Sequence, residues 1–294
     1  MKVAVFGGSG FLGLYLVKEL IRRDFKVTIF DVAEVDYKND SLEFYYSDIL
    51  DTNLVRSQIV EGNFTFVYNL AGFANLDKAI LDPFRTMQLN VLGNINILNA
   101  CLEAKIERFV YASSAYAMSD KGSFYGISKL TSEKIVEEYA VKFNLDFTIL
   151  RYGSVYSEMD YDNNYIFNLI EKAIATGKIQ HGGDGNELRE YIHASDAAKL
   201  SVDVLMSKDF INDHVIFTGI EKIKRSELFN VINEILGNKL EISYEHNNYG
   251  HHYHFTPYSY SPTLSKKLVA NPHIDMGQGL LECIKAVYKK NKNQ

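Results

Sequence analysis

A chain of 294 residues with 47% apolar and 23% charged residues has the composition of an ordinary globular protein of one or two domains, which excludes a peptide, a collagen-like chain and a disordered tail. Lysine and arginine number 31 against 37 acidic residues, a formal charge of −6 with no long run of one sign, so no phosphate-tracking surface is expected and nucleic acid is excluded as a partner. Cys101 and Cys283 lie far apart without metal-ligand spacing, which fits a reducing cytoplasm, and no stretch approaches the roughly 20 unbroken apolar residues of a membrane span.

In chain order, Lys2 to Phe6 reads as a strand that ends in Gly-Gly-Ser-Gly; Phe11 to Arg23 has helical apolar spacing, and Lys26 to Phe30 is strand again. This β-α-β unit repeats. Phe64 to Leu70 is a buried strand, Val91 to Ala104 a helix, Arg108 to Ser113 a strand, Tyr125 to Phe143 a helix and Asp146 to Tyr152 a strand. Strands alternating with crossover helices predict an α/β fold with a doubly wound parallel sheet. After Arg151 the regularity fades: Tyr161 to Thr176 reads as a helix, His214 to Thr218 as a returning strand, and Ser226 to Leu236 and Gly279 to Lys290 as helices around the aromatic stretch Tyr249 to Pro262. The expected division is a dinucleotide-binding Rossmann domain over residues 1–155, rejoined by a strand near 214–219, and a smaller C-terminal α/β lid for substrate over most of 156–294. Lys289, Lys290 and Lys292 read as a solvated tail.

Gly7, Gly10 and Gly13 form G-x-x-G-x-x-G at a strand-to-helix turn, where absent side chains let the backbone approach a pyrophosphate. Asp31 follows eighteen residues after Gly13, at the end of the next strand. A carboxylate there accepts both adenosine ribose hydroxyls and repels a 2′-phosphate, and Val32, Ala33 and Glu34 offer no cation, which favours NAD over NADP. The blander reading is a tight turn whose glycines serve only packing. Asp48, after a third short strand, is a candidate partner of the adenine amino group, or simply a turn residue.

Tyr125 and Lys129, four apart, project from one face of a helix. With 20 tyrosines in the chain the spacing alone is weak, because roughly one or two such pairs arise by chance, and Tyr288 with Lys292 reads as an accidental one. Position separates Tyr125. Its helix follows the strand ending Ser113-Ser114, whose carboxyl end faces the same sheet edge as the glycine turn. A phenol with a reference pKa of ~10 is a poor base, but an adjacent ammonium and a cationic nicotinamide both favour phenolate, a route to removing an alcohol proton while hydride leaves the same carbon.

With these features in hand, the sequence resembles the extended short-chain dehydrogenase/reductase family, the NAD-dependent nucleotide-sugar epimerases and dehydratases. The resemblance rests on the glycine turn, Asp31, Asn69-Leu70-Ala71-Gly72, Asn90 to Asn94, Ser113-Ser114, Tyr125 to Lys129, Leu150-Arg151-Tyr152, and Gly183 to His193 followed by Asp196. It implies a cofactor surface of Gly7, Gly10, Phe11, Leu12, Gly13, Asp31, Asp48, Ile49, Leu70, Ala71 and Gly72 with Tyr125 and Lys129. It further implies Ser114 on the reacting sugar oxygen, with Ser113 as competitor, Tyr125 as acid/base, Lys129 on the nicotinamide ribose, Tyr152 shaping the pocket, and Arg189 on the diphosphate of a nucleotide-diphosphate sugar. A homodimer through a four-helix interface is also implied.

Two departures bear on chemistry. Ser114 reaches Tyr125 in eleven residues, so the loop over the sugar is short. Dehydratases of this group place Asp-Glu directly after the catalytic hydroxyl; here Ala115 and Tyr116 stand there, which argues against elimination. His251-His252-Tyr253-His254 has no partnered ligand at metal spacing, so no metal is expected, and His193 reads as a packed or hydrogen-bonded histidine. The expected function is an NAD-dependent 4-epimerase of a UDP-type hexose. The alternatives are an NAD(P)H-dependent 4-ketosugar reductase of deoxysugar or surface-polysaccharide synthesis, a 4,6-dehydratase, and a non-catalytic NAD-binding sensor.

Overall fold

The β-branched and aromatic runs become thirteen strands in the computed structural model, which describes residues 1–245, 252 and 266–292. They are β1 (Lys2–Phe6), β2 (Lys26–Asp31), β3 (Leu42–Tyr46), β4 (Phe66–Asn69), β5 (Arg108–Ser114), β6 (Phe147–Tyr152), β7 (Ser154–Tyr156), β8 (Lys178–His181), β9 (Leu188–His193), β10 (Asp213–Phe217), β11 (Lys222–Lys224), β12 (Glu241–Tyr244) and β13 (Lys266–Leu268). The α-helices are α1 (Phe11–Arg22), α2 (Thr52–Gly62), α3 (Leu76–Leu81), α4 (Pro83–Met87), α5 (Gly93–Ala104), α6 (Ser123–Phe143), α7 (Tyr165–Thr176), α8 (Ala194–Met206), α9 (Arg225–Ile235) and α10 (Met276–Lys292).

Eight strands form one sheet in the order β13-β10-β6-β5-β4-β1-β2-β3, and every neighbouring pair is parallel. Burial on both faces is written into β1. Val3 and Val5 face the core shared with α1 and α8, while Ala4 and Phe6 face that shared with α2, α5 and α6. The strand order reverses between β1 and β4, which leaves a crevice outside their carboxyl ends. A second body holds the mixed sheet β11-β9-β7, the pair β12-β8, and a third core where α7, α9 and α10 pack through Ile166, Ile170, Leu228, Ile232, Leu280 and Val287. The returning strand lies at Asp213–Phe217, between β6 and β13. Among the described residues no helix is long and apolar enough to cross a membrane. Cys101 and Cys283 are buried free thiols in different cores.

Several local expectations need correction. The helix expected from Val91 is preceded by α4 and a π-helical turn, Gln88–Leu92, and α5 begins at Gly93. The turn accommodates Asn90, whose carbonyl accepts from Ser132 and whose side chain binds the loop after β4. The helix carrying Tyr125 opens at Ser123, because Gly122, at φ +96°, turns the chain into it. Helix α7 starts at Tyr165 rather than Tyr161, because Asn164 caps it and anchors Nδ2 on the carbonyls of Ser157 and Met159. The lysines of the expected tail belong to α10, and Lys290 pairs with Asp160 at 2.7 Å and with Glu171. The stretch Tyr249 to Pro262, apart from His252, lies outside the described residues.

Helix α10 therefore docks through its apolar face. Leu280→Ala is expected to lower the unfolding free energy by about 2–5 kcal/mol in urea titrations, whereas Tyr288→Ala, on the exposed face, should stay within about 0.5 kcal/mol of wild type.

Candidate active site

The turn after β1 begins at Gly7, held at φ +76°, where a Cβ would come within 2.6 Å of the Ala71 amide nitrogen. Gly13 lies against the same turn, so that a Cβ there would sit 2.0 Å from the Gly7 carbonyl oxygen. No side chain caps α1, and the N–H groups of its first turn stay available to an anion. Asp31, at the end of β2, accepts from the amides of Ser9 (3.1 Å) and Val32 (2.8 Å), so the carboxylate also secures the glycine turn. Asp48 accepts from the Leu50 amide at 2.9 Å.

These groups line a cleft of about 470 Å³ at the carboxyl edge of the sheet. Its walls bring together Gly7, Gly10, Phe11, Leu12, Gly13, Asp31, Asp48, Ile49, Leu70, Ala71 and Gly72 with Ser113, Ser114, Tyr125 and Lys129. The donor set fits a dinucleotide. A side-chain-free turn suits a pyrophosphate, a carboxylate at the end of β2 suits a ribose diol, and Ser47, only 2% exposed, has a hydroxyl without a partner among the described residues.

At the other end of the cleft, Lys129 donates from Nζ to the Ala112 carbonyl at 2.9 Å, 5.0 Å above the Tyr111 ring and 6.0 Å from the centre of the Tyr125 ring. Burial pulls this ammonium down to about 8 from its ordinary 10.5, against the opposing pull of Glu133. The difference corresponds to roughly 3 kcal/mol of protonation free energy. Ser114 accepts from the Tyr116 amide at 3.3 Å, and the Tyr116 ring meets Tyr125 edge-on with centroids 6.1 Å apart.

Ser113 and Ser114 are distinguished by their partners. Ser113 Oγ donates to Glu133 at 2.5 Å, and the same fully buried carboxylate accepts Arg151 Nε at 2.9 Å and Nη2 at 2.6 Å. Ser113 is thereby committed to a β5-α6-β6 network. Ser114 instead lines both the dinucleotide cleft and a second cavity. Asn90 adds a further tie: its Oδ1 accepts the Phe73 amide at 2.6 Å, and its Nδ2 donates to Ser128, whose hydroxyl donates to the Tyr125 carbonyl. The sequence reading missed Glu133, although its place four residues after Lys129 puts it on the same helix face.

The second cavity, about 200 Å³, opens from the first across a shared wall that includes Ser114, Tyr125, Tyr152 and Asn163. Arg189 lines it from β9, joined by Tyr165, Tyr191 and Arg225, the last not anticipated from the sequence. Tyr152 lends its ring to both cavities while its hydroxyl pairs with Ser201 at 2.8 Å. His193 is buried and hydrogen-bonded, to Glu158 at 3.1 Å and Ser195 at 2.9 Å. His251 and His254 lie outside the described residues, whereas His252 meets the Tyr116 hydroxyl at 3.0 Å and Asp77 at 3.5 Å.

Residues 3–219 match the model of the NAD dependent epimerase/dehydratase family. A Methanocaldococcus jannaschii protein provisionally named UDP-glucose 4-epimerase is 28% identical over 99% of both chains. The UDP-glucose 4-epimerase of Lactobacillus helveticus is 25% identical over 79% of this chain and 76% of its own. Among solved structures, the Thermotoga maritima UDP-glucose 4-epimerase with UDP-glucose superposes with a TM-score of 0.84 at 21% identity, covering 100% of both chains. The Bacillus cereus UDP-glucuronic acid 4-epimerase with UDP-glucuronic acid and NAD also gives 0.84, at 19% identity, covering 99% of this chain and 100% of that one.

Because removing one member of a buried ion pair leaves the other uncompensated, Glu133→Ala is expected to lower stability by about 3–5 kcal/mol in denaturant titrations. Ser113→Ala should cost no more than about 3 kcal/mol, since the bidentate arginine pair survives.

Proposed function

The chain belongs to the NAD dependent epimerase/dehydratase family, and from that premise we propose that it is a nucleotide-sugar 4-epimerase acting on a UDP-type hexose. NAD is the cofactor. When bound it supplies the acceptor, and then the donor, of the hydride exchanged at the sugar carbon. The observation that carries the reading is the shared wall: Ser114 and Tyr125 border both the cleft of the glycine turn and the cavity of Arg189.

On this reading the Tyr125 oxygen takes the proton of the C4 hydroxyl and later returns it, and Ser114 hydrogen-bonds the same sugar oxygen. Lys129 holds the nicotinamide ribose and favours the phenolate of Tyr125. Arg189 keeps the diphosphate anchored while the ketosugar turns, and the elements within residues 156–294 act as the lid. Ala115 and Tyr116, in place of an acidic pair, support oxidation and re-reduction over elimination. Helix α6 exposes Phe124, Ile127 and Leu130 along one face beside Leu92, which supports the homodimer.

Incubation with UDP-, dTDP-, GDP- and CDP-hexoses, followed by NMR, should reveal a C4 epimer with no net change in nicotinamide absorbance. Stoichiometric consumption of reduced cofactor with a ketosugar, or no epimer from any donor, would overturn the assignment. Tyr125→Phe should reduce kcat by about 10²–10⁴-fold with bound NAD retained. A buried lysine keeps its charge on the acid side of its pKa, so kcat/KM should fall as pH rises through about 8. Sedimentation should give a dimer for the wild type and a monomer for Ile127→Asp/Leu130→Asp.

A further inference from the structure

We infer that Glu158, His193 and Glu282 form a site for one divalent transition-metal cation of the Zn²⁺ class, which clamps a segment bordering the cofactor cleft onto α10. No step of the epimerase reading uses these side chains, and the inference stands apart from it.

The three residues come from separate parts of the chain, so no spacing in the sequence announces them. Glu158 follows β7, His193 ends β9 and opens α8, and Glu282 lies on α10. Their ligand atoms all lie within 4.8 Å of one another. His193 Nε2 is 3.1 Å from Glu158 Oε2 and 4.0 Å from Glu282 Oε2. A cation with bonds of about 2.0–2.2 Å to nitrogen and oxygen sets tetrahedral ligands roughly 3.4 Å apart. The triangle brackets that spacing, and modest rotations of two part-exposed glutamates close it. An imidazole with two carboxylates and no thiolate suits Zn²⁺, Co²⁺ or Mn²⁺ better than Ca²⁺ or Cu⁺.

Charge points the same way. Two carboxylates converge on one imidazole, and among the described residues neither pairs with a lysine or arginine. A neutral imidazole leaves both charges unbalanced and an imidazolium leaves one, whereas a dication balances both. The imidazole is also held in place. His193 is 3% exposed, and Tyr15 and Tyr156 meet its ring edge-on at 6.1 and 5.3 Å. Its Nδ1 lies 2.9 Å from Ser195 Oγ, an outer partner of the kind that fixes ring and tautomer in histidine metal sites. With Nδ1–H donating to that hydroxyl, Nε2 offers its lone pair; the 3.3 Å contact from the Ser195 amide to Nδ1 belongs to the other tautomer. Tyr156 supplies an independent sign of a missing ligand. It is 1% exposed, and its hydroxyl has no hydrogen-bond partner among the described residues. That hydroxyl lies against α10 at Gly279, one turn before Glu282 and within its electrostatic reach, where a water held by the cation would accept it.

The position gives the ion its task. Glu158 belongs to the segment between β7 and α7 that also carries Tyr161 and Asn163. The Tyr161 hydroxyl donates to the Ser9 carbonyl at 3.3 Å, its ring meets Phe11 at 5.7 Å, and Asn163 lines the dinucleotide cleft. Helix α10 already holds the residue before Glu158, because Cys283 Sγ donates to the Ser157 carbonyl at 3.1 Å. A cation shared by Glu158, His193 and Glu282 adds a second tie, and the segment against the glycine turn then opens less often.

The test uses NAD-loaded enzyme stripped of metal by a chelator, titrated with Zn²⁺ by calorimetry and with Co²⁺ by visible absorption. Wild type should bind one ion per chain. Glu158→Gln and Glu282→Gln, which keep side-chain size at part-exposed positions, should each weaken Zn²⁺ by about 10–100-fold. Zn²⁺ should raise the urea midpoint of the wild type and leave those of the two variants unchanged. Release of NAD, chased with isotopically labelled cofactor, should slow by about 5–10-fold on addition of Zn²⁺ to the wild type alone. No saturable binding of either ion, unchanged affinity in both glutamate variants, or loss of binding only in His251→Asn/His254→Asn would overturn the site. Binding at the site with an unaltered rate of NAD release would overturn its role as a clamp.

Discussion

The carboxylate of Glu133 ties together the three elements on which the catalytic geometry depends. It stands on α6, receives Ser113 from the end of β5 and accepts both Nε and Nη2 of Arg151 from β6, and is itself fully buried. Isolated charges would not tolerate that position; bidentate geometry and a third hydrogen bond make it sustainable. The distance between the strand that carries Ser114 and the helix that carries Tyr125 is thus set by a polar joint rather than by apolar packing alone, which tolerates sliding more readily. One helical turn away, the same negative charge works against the desolvation that would otherwise strip Lys129 of its proton.

The joint matters because the site is assembled from chain segments far apart in sequence. Parallel strands deliver their carboxyl ends to one edge, so the glycine turn, Asp31, the loop after β4 and Ser114 meet there with no contact between them required before folding. The second cavity comes from a different device, a small mixed sheet in which β9 carries Arg189 and β11 leads into Arg225 at the start of α9, both lining the cavity that Tyr125 also borders. Asn90, in its π-helical turn, links the loop after β4 to the start of α6, so the floor and one wall of the cleft share a hydrogen-bond frame.

The parallel sheet was legible because its strands are short, apolar and regularly separated by amphipathic helices, and the glycine turn because few sequences place three glycines between such elements. Helix starts were less so. Asn164 and Gly122 set the beginnings of α7 and α6 through local hydrogen bonding and backbone freedom, which apolar periodicity does not register. Adjacency gave no ground for preferring Ser114 to Ser113; the preference proposed above rests on the hydrogen bond that Ser113 makes to Glu133 on α6. The place of Arg225 in the second cavity was invisible for a related reason, since it comes from the register of β11 on β9, a non-local pairing with no signature in the residues around it. Lys290, read as solvent-facing, acquires its carboxylate partners Glu171 on α7 and Asp160 in the loop before it only when α10 packs against α7.

Asp31 does two jobs at once. Its carboxylate stands where an adenosine ribose is expected and at the same time accepts the Ser9 amide that shapes the turn. On the proposed reading, coenzyme preference and loop architecture are therefore inherited together. Redesign toward a phosphorylated coenzyme cannot simply delete the acid; it must leave an acceptor for Ser9, as asparagine would, and introduce the compensating cation elsewhere on the rim.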